Sequence, residues 1–279
     1  MKRFTASDGL SLAYRDEGEG PAVLCLAGLT RNSRDFDHFV AAMPGGFRLI
    51  RLDARGRGAS DHAKDFHTYN VMTEAQDAVA LLDHLGVDRA AVVGSSRGGV
   101  QAMVIAATAP ARLSGVVLND VGPVLSPEGL TKIMGYLGKP PVARTMAEAA
   151  DALEAAFGAD FPNVDPDFWR GWAERSYVAR EGGLDLAYDP KLRDATEAQI
   201  AAADPDGPGL WPLYAALAPV PTLVLKGANS DLLSEETLTE MKARKPDLLT
   251  AIVADRGHIP RLDEPDAIDP ILDFLKSLT

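Results

Sequence analysis

The sequence predicts an α/β fold in which a mostly parallel, doubly wound sheet carries an inserted helical lid. Short, nearly continuous apolar runs recur along the chain, as is typical of strands that are buried on both faces of a parallel sheet. Helical patterns separate most of these runs, and strands alternating with helices favour crossover connections on both faces of the sheet. The alternation stops after Pro123 and resumes near Val220, which indicates an insertion.

The individual elements follow from local patterns. Residues 10–15 alternate between apolar and polar side chains between two turns, which predicts a strand near the N-terminus. Buried strands are predicted at residues 22–27, 47–52, 90–93, 115–118 and 222–225, and a further apolar run covers 248–254. Helices are predicted at residues 73–85, 101–109 and 265–278, bounded by glycine or proline.

The insertion is predicted to be a lid. Residues 124–219 contain helical stretches, such as 146–157 and 168–178, that are broken by Pro and Gly. They also hold all three tryptophans, Trp169, Trp172 and Trp211. Because the insertion leaves the sheet at the carboxyl end of a strand, where α/β proteins bind ligands, we expect it to lie over the site. The core domain would comprise residues 1–123 and 220–279.

Composition narrows the range of partners and settings. The 279 residues include 28 Lys and Arg against 40 Asp and Glu, a formal charge of −12, with no basic cluster of the kind that binds nucleic acid. Cys25 is the single cysteine, so no intrachain disulfide forms. The N-terminus does not resemble a signal peptide, and no apolar segment approaches the ~20 residues that span a bilayer. We expect a cytoplasmic protein that acts on a small molecule and has no membrane partner; a homo-oligomer is compatible with this composition.

The motif Gly94-Ser95-Ser96-Arg97-Gly98 is the central chemical signal. It has the pattern G-x-S-x-G, and it lies between a predicted strand and a predicted helix, as a nucleophile elbow requires. A Cβ at Gly94 or Gly98 would collide across so sharp a turn. The sequence therefore predicts that Ser96 is a nucleophile.

A serine hydroxyl needs a base, and the base needs an orienting carboxylate. His258 lies between the apolar run 248–254 and the last helix, and it is the only histidine after His84. Asp231 follows the strand at 222–225, so the chain order is Ser, Asp, His. Asp120, at the end of the strand at 115–118, could reach the same histidine. We assign the orienting role to Asp231 and interpret Asp120 as an anchor for the start of the lid.

An oxyanion intermediate needs two backbone N–H donors. One is predicted to be the N–H of Arg97, directly after the nucleophile. The second is predicted to be the N–H of Leu29, in the Gly28-Leu29 loop that follows the strand at 22–27. The side chains of Arg31 and Arg97 lie near these groups in the sequence and are candidates for binding a substrate carboxylate, although a surface role is also open.

Three further sequence motifs, together with the serine elbow, form a family pattern. Ala27-Gly28-Leu29, the loop from Asp53 to Asp61 (DARGRGASD), the serine elbow and Gly257-His258 occur in the order found in α/β-hydrolases. The chain outside the lid resembles the esterase, lactonase and C–C-bond hydrolase branches of that family. It departs from the family at Ala27, where a histidine is usual, and at Arg57, where an aromatic residue or histidine is usual.

The resemblance implies a serine hydrolase that works without cofactor or metal. Carboxylic ester hydrolysis of a small, largely apolar molecule is the first expectation, through an acyl-enzyme on Ser96. A lactonase or C–C hydrolase with the same triad is the alternative, and a ligand-binding member of the fold is a third possibility. We also expect at least one lid tryptophan to contact the substrate.

Overall fold

An eight-stranded sheet forms the centre of the protein. The computed structural model describes residues 1–204 and 207–279. The strands of the chain are β1 (Lys2–Thr5), β2 (Ser11–Glu17), β3 (Ala22–Leu26), β4 (Arg48–Leu52), β5 (Ala90–Ser95), β6 (Leu113–Asn119), β7 (Tyr177–Arg180), β8 (Gly183–Leu186), β9 (Thr222–Gly227) and β10 (Leu249–Val253). Across the large sheet they lie in the order β1-β2-β4-β3-β5-β6-β9-β10; β2 is antiparallel to β1 and β4, and all other neighbours are parallel. The predicted mostly parallel sheet is confirmed.

Helices cover the sheet on both faces. The side chains of β5 alternate between two buried clusters, with Ala90 and Val92 in one and Ala91 and Val93 in the other. The helices are α1 (Asp37–Ala42), α2 (Val71–His84), α3 (Arg97–Thr108), α4 (Pro127–Tyr136), α5 (Met146–Phe157), α6 (Pro166–Ser176), α7 (Leu192–Ala202), α8 (Trp211–Ala215), α9 (Glu235–Arg244) and α10 (Pro265–Ser277). Helices α2 and α3 pack in the first cluster, whereas α1 and α10 pack in the second. The continuous apolar runs are thus strands buried on both faces, as predicted.

Between β6 and β9 the chain leaves the sheet, and helices α4 to α8 lie in this inserted segment, residues 124–219. The segment also contains the antiparallel hairpin β7–β8, where the sequence predicted a helix to residue 178. Each hairpin strand has only four residues, most of them partly exposed, so neither produces an apolar run that identifies a strand.

Hydrogen bonds and apolar packing hold the inserted segment against the rest of the chain. The Tyr69 hydroxyl donates to Asp189 Oδ2 at 2.6 Å, and the Gly58 N–H donates to the Ala187 carbonyl at 3.0 Å. Tyr214 of helix α8, near the end of the segment, packs in the buried cluster that contains Ala90 and Val92 of β5. The division into a core and a lid domain stays a prediction. In the described part of the chain, no helix is long and apolar enough to cross a membrane.

Candidate active site

Ser96 occupies a strained turn between strand β5 and helix α3. Its backbone angles are φ 51° and ψ −115°, a conformation that non-glycine residues rarely adopt and that concentrates at functional sites. A Cβ at Gly98 would overlap the backbone carbonyl of Leu26, and one at Gly94 would overlap the backbone of Gly98. The predicted elbow and its need for both glycines are confirmed.

His258 lies within hydrogen-bond distance of the Ser96 hydroxyl. The loop between β10 and α10 carries the histidine over the carboxyl edge of the sheet. Its Nε2 lies 2.9 Å from Ser96 Oγ, and its Nδ1 lies 2.6 Å from Asp120 Oδ2. Because an ionised carboxylate only accepts hydrogen bonds, Nδ1 carries the proton and Nε2 is free to accept one from Ser96.

Asp120 holds the histidine from a fully buried position. It directly follows β6, has none of its surface exposed, and adopts a positive φ of 55°. Besides His258, its carboxylate accepts a hydrogen bond from the Gly227 N–H at 2.9 Å and one from the Ser230 hydroxyl at 2.6 Å. These donors fix the carboxylate and therefore the ring orientation of His258.

Asp231, which the sequence analysis assigned to this position, does not contact His258. Lys132 of helix α4 donates to Asp231 Oδ2 at 2.9 Å and also pairs with Asp160. The assignment was wrong because the two carboxylates differ in position: Asp120 directly follows β6 and is fully buried, whereas Asp231 lies beyond the end of β9, is 30% exposed and pairs with Lys132. The loop after β9 contributes Ser230 to Asp120, and its next residue, Asp231, pairs with the inserted segment.

The two predicted oxyanion donors belong to segments that meet Ser96: the loop after β3 and the start of helix α3. A Cβ built on Gly28 would lie 3.7 Å from the Ser96 Cβ, so the loop after β3 passes directly beside the nucleophile. Gly28 and Leu29 line the same cavity as Ser96, and Arg97 is the first residue of helix α3. Their role as N–H donors stays a prediction.

A buried carboxylate, Glu74 of helix α2, connects these two segments. Arg57 donates to Glu74 Oε1 at 2.8 Å and, through Nε, to the Leu29 carbonyl at 2.9 Å. Arg97 donates to Glu74 Oε2 at 2.7 Å, and Gln101 donates to the same oxygen at 2.9 Å. Burial alone would raise the pKa of Glu74, but Arg57 and Arg97 outweigh burial and hold that pKa below its usual value. Arg57, a departure from the family pattern, thus supports the Leu29 loop.

A cavity of about 170 Å³ opens beside Ser96 and His258, between the carboxyl edge of the sheet and the inserted segment. Trp172 lines it, whereas Trp169 is buried within the segment and Trp211 packs against Arg244. Arg31 also lines the cavity, but the Arg97 side chain is directed to Glu74 and does not. Of the two arginines that the sequence offered for binding a substrate carboxylate, only Arg31 is among the residues that line this cavity.

The described residues offer little for cysteine or metal-ion chemistry. Thiolate, not thiol, is the reactive form of cysteine, and burial raises the pKa of Cys25 to about 12, so this residue is unsuited to be a nucleophile. Among residues 1–204 and 207–279, no group of three or more His, Cys, Asp or Glu side chains is arranged to hold a metal ion.

A serine on a strand–helix elbow, contacted by a histidine that a buried carboxylate orients, defines a class of hydrolases built on a doubly wound sheet. The chain belongs to the alpha/beta hydrolase fold family, whose model matches residues 21–265. The expected resemblance and fold class are confirmed.

The chain is similar to several proteins that are named as hydrolases. The chain is 36% identical over 268 residues to a 3-hydroxybutyrate-oligomer hydrolase of Cupriavidus necator, covering 92% of this chain and 90% of the relative. It is 29% identical over 249 residues to a 2-(acetamidomethylene)succinate hydrolase of Mesorhizobium japonicum, covering 89% and 85%. A crystal structure of an alpha/beta hydrolase from Novosphingobium aromaticivorans matches with a TM-score of 0.90 and 42% identity, covering 99% of this chain and 97% of that one.

Proposed function

We propose that this protein is a serine hydrolase that cleaves carboxylic esters of small molecules through an acyl-enzyme on Ser96. The observation that carries the proposal is the continuous chain of contacts from Ser96 Oγ to His258 Nε2, at 2.9 Å, and from His258 Nδ1 to Asp120 Oδ2, at 2.6 Å. Such a chain lets a neutral imidazole take the hydroxyl proton while a carboxylate stabilises the imidazolium that forms.

In the first half-reaction, Ser96 Oγ attacks the ester carbonyl carbon as its proton moves to His258 Nε2. The carbonyl oxygen becomes an oxyanion, which the N–H groups of Leu29 and Arg97 would stabilise. When the intermediate collapses, the alcohol oxygen leaves and takes the proton from Nε2. In the second half-reaction, water replaces the alcohol: His258 takes a water proton and the hydroxide attacks the acyl carbon. The bond between the acyl carbon and Ser96 Oγ then breaks, Oγ takes the proton back from His258, and the carboxylic acid leaves.

One of the named relatives favours ester chemistry. The 3-hydroxybutyrate-oligomer hydrolase, 36% identical to this chain, acts by name on an oligomer of a hydroxy acid, whose units are joined by ester bonds. The aromatic side chains of Phe157, Phe168 and Trp172 in the cavity wall suit the apolar part of a small ester.

The direct test is reaction with an alkyl fluorophosphonate, which phosphonylates an activated serine. We expect intact-mass spectrometry to show one adduct on the wild-type protein and none on Ser96→Ala. The same substitution should lower the rate of 4-nitrophenyl butyrate hydrolysis by several orders of magnitude.

The matched control is Ser95→Ala, because Ser95 is the neighbouring serine and lines the same cavity. Its hydroxyl accepts a hydrogen bond from Asn119 at 3.0 Å and does not contact His258. This variant should retain labelling and most of its turnover. Substantial turnover by a folded Ser96→Ala protein, or labelling that depends on Ser95, would reject the proposal.

A further inference from the structure

Three arginines from separate parts of the chain line the cavity beside Ser96. Arg31 comes from the loop after β3, Arg175 from helix α6 of the inserted segment, and Arg261 from the loop that also carries His258. Arg31 is close to the nucleophile, since its Cγ lies 3.3 Å from a Cβ built on Gly28, and the Ser96 Cβ lies 3.7 Å from the same point. The basic groups therefore border the space in which the acyl or alcohol part of a substrate would lie.

The basic side chains outnumber their acidic partners. Two of them share the carboxylate of Asp35. It accepts hydrogen bonds from Arg31 at 2.5 and 3.0 Å and one from Arg175 Nε at 3.1 Å. Arg261 has its own partner, Asp263, at 2.7 Å. Lys139 adds a fourth basic side chain to the cavity wall, and Asp35 is the one acidic residue among the described residues that line it. The cavity thus carries excess positive charge in a protein whose net charge is −12.

Arg175 has unused hydrogen-bonding capacity at this place. Its side chain is only 11% exposed, and within the described parts of the chain its two terminal nitrogens have no hydrogen-bond acceptor. Burial, together with the neighbouring Arg31 and Arg261, lowers the pKa of Arg175 despite the opposing effect of Asp35. A guanidinium in this state is stabilised by an anion, and its planar fork matches the two oxygens of a carboxylate.

Aromatic rings hold the neighbouring arginines in place. The Arg31 guanidinium lies 5.2 Å from the centre of the Trp172 ring, and that of Arg261 lies 5.5 Å from the centre of the Phe168 ring. Arg31 also donates to the Ser176 hydroxyl at 2.9 Å. These contacts preorganise the cationic groups, so that an anion binds them without a large ordering cost.

We propose that the substrate is an ester that carries a free carboxylate, and that Arg175, with Arg31, binds this carboxylate while Ser96 attacks the ester. This inference rests on the proposed function and adds the substrate class to it. It revises the expectation of a largely apolar molecule: the aromatic wall takes the hydrocarbon spacer, and the arginines take the charged end.

The experiment compares each carboxylate with the neutral amide of the same shape. The first pair, 3-acetoxybutanoate and 3-acetoxybutanamide, carries the group on the alcohol side of the ester. The second pair, the monophenyl ester of adipic acid and its terminal amide, carries it on the acyl side. Hydrolysis is followed by pH-stat titration. We expect the wild-type protein to prefer the carboxylate of at least one pair by tenfold or more in kcat/KM.

Arg175→Met removes the guanidinium and its charge but keeps an unbranched apolar side chain in place of the arginine stem. A hydrogen bond to a charged group contributes about 1.5–3 kcal/mol, which corresponds to roughly a 10- to 150-fold loss in kcat/KM for the preferred carboxylate. The kcat/KM for its amide should change by less than about threefold, because the neutral amide forms no ion pair with Arg175. Arg170→Met is the matched control: it lies on the same helix with the same charge change, but Arg170 is exposed. Arg175→Lys should recover part of the preference and provides the test if the methionine variant is unstable.

A binding measurement separates this inference from the proposed function. Isothermal titration calorimetry on folded Ser96→Ala protein should show binding of the preferred carboxylate and much weaker binding of its amide, with the difference lost when Arg175→Met is added. If carboxylates and amides react or bind equally well in both pairs, the anion subsite is rejected, whether or not Ser96 proves to be the nucleophile. If the carboxylate binds selectively but no fluorophosphonate adduct forms on Ser96, the proposed function fails and the subsite remains.

Discussion

Glu74→Gln tests whether one buried carboxylate holds both sides of the predicted oxyanion site. Glu74 accepts hydrogen bonds from Arg57, Arg97 and Gln101, and Arg57 in turn donates to the Leu29 carbonyl. Glutamine has nearly the same shape but no charge, and its amide NH₂ turns one acceptor into a donor that faces other donors. We expect the variant to lose both stability and activity.

The structure sets the size of the effect. The side chains of Glu74 and Arg57 are each 1% exposed, so the substitution leaves a buried guanidinium without its counter-charge. Removing one partner of a buried pair costs about 3–5 kcal/mol, and the remaining glutamine oxygen, which still accepts a hydrogen bond, favours the lower end. At roughly 2–4 °C for each kcal/mol, the Tm should fall by about 6–12 °C. Loss of one oxyanion donor costs about 10²–10³ in kcat, so its displacement should cost about tenfold or more.

The assay is thermal denaturation together with kcat on 4-nitrophenyl butyrate, measured well below the Tm of the variant. Glu154→Gln, on the exposed face of helix α5, is the control and should change the free energy of unfolding by less than about 0.5 kcal/mol. A Glu74→Gln protein with wild-type Tm and wild-type kcat would refute the reasoning. A lower Tm with unchanged kcat would confine Glu74 to a structural role.

The pH dependence of the Tm difference adds a signature. The pKa of Glu74 is lower in the folded protein than in the unfolded chain, so its stabilising effect is present above the unfolded pKa and is lost as the pH falls through the folded value. The Tm gap between wild type and Glu74→Gln should therefore be widest near neutral pH and should narrow as the pH falls below about 4. A gap that grows with acidity would contradict the sign of this shift.

The remaining predictions concern the cavity wall and the elbow. Trp172→Ala should change the preference between short and long acyl esters in a folded protein, whereas Trp211→Ala, outside the cavity, should leave the ratio of the two kcat/KM values unchanged; equal losses on all esters from both variants would give Trp172 a purely structural role. Gly98→Ala should abolish most turnover and lower the Tm, because its Cβ would overlap the Leu26 carbonyl. Gly135→Ala, where a Cβ meets no atom within 4 Å, should raise stability by up to about 1 kcal/mol, and similar Tm values for the two alanine variants would show that the elbow is not tight.

Local patterns were sufficient to predict the sheet and the elbow. The runs that form β3, β4, β5, β6 and β9 are apolar on both faces, and this composition is a property of each short segment alone. The turn at Ser96 is likewise local, because the two glycines that it requires lie two residues to either side. The hairpin β7–β8 was not predicted, because its strands are short and half-exposed and contain no continuous apolar run.

The rest of the site depends on contacts between distant segments. Asp120 and Asp231 both follow a strand and both precede His258 in the chain, so their order cannot distinguish them. Their contacts do: Asp120 is buried directly after β6 and reaches His258, whereas Asp231 lies beyond the end of β9 and pairs with Lys132 of the inserted segment. A lone aspartate directly after the strand that neighbours the elbow is a signal that deserved more weight. The arginines of the cavity come from loops and a helix far apart in sequence, with no motif to connect them.

The most direct test of the triad is a comparison of two conservative variants, Asp120→Asn and Asp231→Asn. An amide at position 120 would donate to His258 Nδ1, place the proton on Nε2, and leave the histidine unable to accept the proton of Ser96. Asp120→Asn should therefore lower kcat on 4-nitrophenyl butyrate by about 10⁴-fold, the scale of such a tautomer change in a serine protease, with the fold retained. Asp231→Asn loses only an ion pair with Lys132 and should stay within about fivefold of wild type. The opposite ranking, or equal losses in both folded variants, would contradict the assignment of Asp120 as the residue that orients His258.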